Sequence, residues 1–300
     1  LTAGDVLVIG RAGQLALSLA ERSAGYGLSL AFAARPQLDL AEPESIRRAV
    51  GESGASVIVN AAAYTAVDQA EAEPELAHQL NGVAPGIMAE AATETGAHLI
   101  HVSTDYVFSG DQNVPCREHD PVGPTSAYGR SKLAGERAVQ ERSAHHAIVR
   151  TAWVYSPFGK NFVKTMLSLA QSRSELRVVG DQVGNPTSAL DLADGILRVI
   201  SKWRSNPQHG TGTIYHLAGQ GFTNWADFAR EIFVQSSKRG GPSAQVAAIS
   251  SAEWPVQAQR PANSQLDSGL FARTFGYSAP PWQDSLSLVV GRLLSDARSG

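Results

Sequence analysis

Through the first half of the chain, short apolar and β-branched runs alternate with longer stretches whose apolar positions recur at helical spacing. The runs are Asp5–Ile9, Leu28–Ala33, Ser56–Asn60, Ala97–Ser103 and Ala147–Thr151, and the helical patterns are Gln14–Ala24, Glu42–Glu52, Glu75–Thr95 and Tyr128–Arg142. Near-continuous apolar runs suit strands covered on both faces, and helices between them supply parallel crossovers. The pattern predicts an α/β fold: a doubly wound parallel sheet of Rossmann type with a smaller, partly interleaved C-terminal region.

The second half loses that rhythm and carries breakers at Pro157, Gly159, Pro186, Pro207, Gly240, Gly241, Pro242, Pro255, Pro261, Pro280 and Pro281. Helices remain legible at Phe162–Arg173, Ala189–Trp203, Asn224–Gln235 and Trp282–Leu294, with an extended run at Thr213–Leu217 and surface loops before it and over Ser236–Ser243. The expected division is a dinucleotide-binding domain over 1–152 with returning segments near 186–218, and a substrate-binding region over 153–185 and 219–300.

Composition narrows the class. The 300 residues are 43% hydrophobic and carry a net charge of −3 without a basic block, so no footprint for nucleic acid or an anionic membrane is present. Cys116 is the single cysteine, which excludes an internal disulfide and a cysteine zinc site. No apolar run approaches the ~20 residues of a membrane span and no basic-then-apolar leader is visible, so a cytoplasmic protein is expected.

Gly10-Arg11-Ala12-Gly13-Gln14-Leu15-Ala16 follows the first strand and opens the first helix. Glycines there allow a tight turn and close backbone approach, and free N–H groups at a helix N-terminus attract a pyrophosphate. The spacing departs from Gly-x-Gly-x-x-Gly, and an ordinary strand-to-helix turn is the competing reading. After the second strand the chain reads Ala33-Ala34-Arg35, where an acid would bond a ribose 2′-hydroxyl and repel a 2′-phosphate. Arg35, with Arg11, favours NADPH over NADH, which stays the weaker alternative. Asp39 and Leu40, ending the next short extended segment, are expected to border the adenine. Ala62-Ala63-Tyr64 ends a third strand at the same sheet edge, where small side chains leave room for a cofactor or simply pack closely.

Tyr128-Gly-Arg-Ser-Lys132 places a phenol and an amine four residues apart on one helical face. The expectation is that a Lys132 ammonium holds the Tyr128 pKa down and poises it as a proton donor. Thr104 and Asp105 lie just past a strand, at the carboxyl edge where doubly wound sheets bind ligands, although a strand-end cap and a turn use the same residue types.

Taken together with Val59–Asp68, Ser103–Phe108, Arg150–Tyr155, Asn161-Phe162, Gly184–Thr187 and Arg260–Ser264, these blocks resemble the extended short-chain dehydrogenase/reductases that reduce nucleotide sugars. The resemblance covers nearly the whole chain. It implies reduction by NADPH of the C4 ketone of dTDP-4-dehydro-6-deoxy-L-mannose to dTDP-L-rhamnose. Tyr128 would be the proton donor, Lys132 the partner of the nicotinamide ribose, and Thr104 a hydrogen-bond partner of the reacting oxygen. It further implies that Thr65, Val67, Asp105 and Trp153 lie against the substrate; a buried core role is the alternative for Trp153. Some members are thought to dimerise around a Mg²⁺ held by glutamates, and the positions aligned with those carry Ser18, Leu190 and Ser295. The expected protein is therefore a monomer or weak dimer without a bridging metal. Two rivals stay open: an epimerase or dehydratase of the same superfamily, and a non-catalytic NADP-binding regulatory subunit.

Overall fold

The computed structural model describes residues 5–299. Its elements in chain order begin β1 (Val6–Ile9), α1 (Gln14–Arg22), β2 (Leu30–Ala33), α2 (Pro43–Ser53) and β3 (Val57–Asn60). Next come α3 (Gln69–Ala72), α4 (Pro74–His78), α5 (Ala84–Thr95), β4 (His98–Thr104), α6 (Ala127–Arg142), β5 (His146–Thr151) and β6 (Val154–Tyr155). Then follow α7 (Phe162–Leu169), β7 (Glu175–Val179), β8 (Val183–Gly184), β9 (Thr187–Ser188), α8 (Ala189–Ser205) and β10 (Thr213–His216). The chain ends with β11 (Thr223–Asn224), α9 (Trp225–Ser237), β12 (Gln245–Ile249), α10 (Gly269–Phe275) and α11 (Trp282–Ser299).

Six strands form one parallel sheet in the order β10-β5-β4-β3-β1-β2. The strand alternation divides two cores. Val6, Val8, Val57, Val59, Ile100 and Val149 face Leu15, Leu19 and the apolar side of α8. Leu7, Ile9, Ile58, Leu99 and Ile148 face α2, α5 and Val139 of α6. Both sheet faces are therefore covered, as all-parallel sheets require. The order of strands reverses between β1 and β3, which opens a crevice at their carboxyl ends.

A third core joins Val163, Met166 and Leu167 of α7 to Leu176 and Val178 of β7, Phe228 and Ile232 of α9, and Leu286 and Val289 of α11. Here β7 and β12 form a parallel pair absent from the sequence reading. Also unread was α10, which inserts Phe271 and Phe275 into the large-sheet core although it lies within 219–300.

The pattern over Glu75–Thr95 is not one uninterrupted helix: a π turn, Gln79–Val83, separates α4 from α5. Pro85 explains the break, because it has no N–H to bond the Asn81 carbonyl and its ring displaces that carbonyl. Asp39 and Leu40 end no strand; they lie in the turns after β2, where the Asp39 carboxylate accepts from the Ala41 N–H at 3.0 Å.

Candidate active site

The carboxyl ends of β1, β2 and β3 surround a cavity of about 430 Å³ lined by Gly10, Arg35, Asp39, Leu40, Ala62, Ala63 and Tyr64. Gly10 adopts φ +113, which only glycine takes without strain, and its α-carbon faces the Ala61–Ala62 backbone. Arg11, Ala12 and Gly13 are exposed, and no side chain caps the start of α1. Those first backbone N–H groups are thus available to an anion, and the cradle fits a dinucleotide pyrophosphate. Arg35 stands exposed at the cavity wall, whereas Arg11 is not part of the lining.

Two of the predicted cofactor residues use their side chains elsewhere. Leu15 is buried in the sheet core. Gln14 ties the glycine loop to the segment after β6, its Oε1 accepting from Ser156 Oγ at 2.8 Å and from Asn161 Nδ2 at 3.0 Å. Only their backbone can face a phosphate.

At the end of β4, Thr104 and Asp105 are both buried and the Thr104 hydroxyl donates to Asp105 Oδ1 at 2.9 Å. Burial pushes the Asp105 carboxyl up to about 6, against the hydrogen bonds from Thr104 and Ser264. Tyr128 reaches this point because α6 runs unusually close to the turn Asp105–Val107: a Cβ at Gly129 would collide with the Tyr106 carbonyl oxygen. Ser126 caps the helix, its Oγ accepting from the Gly129 N–H at 3.1 Å.

The expected coupling of Tyr128 to Lys132 is not what the structure holds. Burial pushes the Tyr128 phenol up to about 12, the Thr104 hydroxyl pulls it down, and Asp105 pushes it further up. Lys132 turns its Nζ away, donating to the Val102 carbonyl at 2.7 Å and lying 3.4 Å from His101 Nε2. Burial lowers this amine to about 8. Both residues lie on α6, but burial sets the Tyr128 shift and Lys132 is not among its causes.

Val67, Tyr64 and Tyr106 pack with Tyr128 in one apolar cluster, while Thr65 beside them is exposed. Trp153 is half-buried at φ +47, a strained conformation for a large side chain. Stacking on Trp225, with centroids 3.6 Å apart, and a 3.1 Å hydrogen bond from Nε1 to Ser264 Oγ hold it there. Asp68, in the loop after β3, accepts both Arg260 guanidinium nitrogens, at 2.6 and 3.2 Å, and so joins that loop to the C-terminal region.

Asn81 was missed by the sequence reading. Buried in the π turn, it accepts from the Tyr64 N–H at 2.8 Å, donates to the Tyr64 carbonyl at 2.9 Å and donates to Ser131 Oγ at 3.0 Å. Pro85 four residues later was the available signal. Of the three positions expected to lack metal-binding carboxylates, Ser18 is buried and bonded to the Gln14 carbonyl, Leu190 is buried and Ser295 is exposed.

A family model described as the RmlD substrate binding domain matches residues 4–295. A dTDP-4-dehydrorhamnose reductase of Sinorhizobium fredii is 42% identical over 97% of this chain and 98% of its own length. The crystal structure of a dTDP-4-dehydrorhamnose reductase from Clostridium acetobutylicum is 36% identical, with a TM-score of 0.88 over 96% of this chain and 99% of that one. One from Bacillus anthracis, solved in complex with NADP, is 34% identical, with a TM-score of 0.88 over 97% of this chain and 100% of that one. With a match across almost its entire length, the chain belongs to the RmlD substrate binding domain family, nucleotide-sugar reductases of the extended short-chain dehydrogenase/reductase fold.

Proposed function

We propose that this protein reduces the C4 ketone of dTDP-4-dehydro-6-deoxy-L-mannose, giving dTDP-L-rhamnose, with Tyr128 as the proton donor. The observation that carries the reading is the meeting of Tyr128 with Thr104 at the end of β4, with Tyr64 packed against Tyr128 and lining the glycine-loop crevice, in a chain so similar to named reductases. NADPH, when bound, supplies the hydride. The residues for holding it are the α1 backbone amides after Gly10, the Ala62–Tyr64 backbone and Arg35, whose guanidinium suits a 2′-phosphate.

As negative charge develops on the carbonyl oxygen, Tyr128 gives up its phenolic proton to it. A phenol held near 12 is fully protonated at neutral pH and still far more acidic than an ordinary alcohol, so transfer to an alkoxide runs downhill. Thr104 steadies that oxygen by hydrogen bonding, and Lys132, one helical turn on, is the partner for ribose hydroxyls. Val67 and the fixed Trp153 indole form apolar walls for the 6-deoxy sugar, and Asp105 accepts from a sugar hydroxyl.

The test is NADPH oxidation followed by absorbance with the 4-keto sugar nucleotide supplied. One NADPH consumed per dTDP-rhamnose formed supports the reading. Cofactor recycling without net oxidation favours an epimerase or dehydratase, and tight NADPH binding without turnover favours a regulatory subunit.

A further inference from the structure

One contact behind the site fixes a protonation state. The Ala62 N–H donates to Asn60 Oδ1 at 3.2 Å. A backbone N–H can only donate, so it determines which end of the Asn60 amide lies where, and Nδ2 is left facing His101 Nδ1 at 3.0 Å. An amide NH₂ also only donates, so Nδ1 must accept and carries no proton. His101 is wholly buried and held well below the ordinary histidine range, chiefly by that burial, so the ring is neutral. Its one proton is therefore on Nε2, and Nε2 faces the Lys132 Nζ at 3.4 Å.

An ammonium has no lone pair to accept that proton, whereas a neutral amine accepts from His101 and still donates to Val102. We infer that Asn60 and His101 are positioning residues that disfavour the ammonium form of Lys132 in the free protein. The surrounding groups agree. Tyr128 lies one turn away on α6. Glu136, which favours the charged amine, is engaged at both oxygens by Arg150 of β5, at 2.9 and 2.7 Å. Burial lowers Lys132 to about 8, so the neutral amine becomes the main form only just above neutral pH. The Lys132 charge is thus conditional on what binds beside it, not a fixed property of the fold.

The catalytic consequence rests on the function proposed above, but the test uses protein without cofactor or substrate, so either reading can fail alone. Lys132, Lys160, Lys164, Lys202 and Lys238 are the only lysines, which makes ¹³C labelling of the ε-carbons practical, with Lys132→Arg assigning the signal. Nitrogen-15 shifts of His101 should show Nδ1 unprotonated and Nε2 protonated, and the Lys132 signal should titrate near 8, against about 10.4 for an unperturbed lysine. A His101 ring protonated on Nδ1, or a Lys132 midpoint at or above about 9.5, overturns the inference. Asn60→Asp presents acceptors to both Ala62 and His101. It should reverse the tautomer and raise the Lys132 midpoint by roughly one unit or more; a reversed tautomer with an unmoved midpoint overturns the link. If that variant does not fold, the wild-type titration still decides.

Discussion

Thr104 spends its only hydroxyl proton on Asp105, 2.9 Å away, in the same buried corner that receives the Tyr128 phenol. While that bond stands, Thr104 can accept from a neighbour but cannot donate to a substrate oxygen. Under the proposed mechanism the Thr104 hydroxyl must therefore turn from Asp105 to the carbonyl oxygen before it can steady it.

Asp105 also makes stability depend on pH in an unusual direction. Its carboxyl is raised from 3.8 to about 6 in the fold, so the native state binds more protons than the unfolded state between those values. Stability from this group is full below the lower value and is lost as pH rises through 6. Asp105→Asn should therefore stabilise the protein at pH 7 by up to about 3 kcal/mol and by little at pH 4, while lowering turnover at least tenfold. Urea unfolding at both pH values checks the first part, and an equal effect at both would contradict it.

Replacing Tyr128 by Phe removes the proton and little else, because the ring stays packed against Tyr106, with centroids 5.6 Å apart. Turnover should fall by roughly 10²- to 10⁴-fold with NADPH affinity unchanged within a few-fold. Stopped-flow kinetics and cofactor fluorescence separate the two quantities. A near-wild-type rate would remove Tyr128 from the mechanism.

Arg150 and Glu136 are both buried and paired through two hydrogen bonds, with the guanidinium also over the Phe108 ring at 5.0 Å. Truncating one partner strands a buried charge, at a cost of about 3–5 kcal/mol. Glu136→Ala should lower the urea midpoint accordingly. A loss of less than about 1 kcal/mol, the range of exposed pairs, would show that the site is wetter than its burial indicates.

Arg35→Ala should raise the KM for NADPH roughly tenfold, the scale of one lost charged hydrogen bond, and leave the KM for NADH nearly unchanged. The same substitution at Arg11, which lies outside the cavity lining, should have a smaller effect. Equal changes for both cofactors would place the 2′-phosphate elsewhere.

The strands of the large sheet were legible because β1 and β2 are apolar at every position and β3 at all but Asn60, a local property. The helix over Glu75–Thr95 was read through its apolar spacing, which hid the π turn that Pro85 creates and that positions Asn81. The α10 segment is only seven residues long, and its Phe271 and Phe275 make sense only once the sheet core they fill exists. In the site, the four-residue spacing of Tyr128 and Lys132 was visible. Their electrostatics were not, since burial and the Asn60–His101 contacts come from strands distant in sequence. Gly129 likewise looks ordinary until the Tyr106 carbonyl is seen against it.

The central claim is reduction at C4, and its most direct test is the fate of a label. Wild-type enzyme is given dTDP-4-dehydro-6-deoxy-L-mannose and NADPH deuterated at the transferable position, and the product is read by NMR. The account predicts dTDP-L-rhamnose with deuterium at C4, one label per NADPH oxidised. Unlabelled product, label at another carbon, or no NADPH oxidation with the cofactor bound would contradict it.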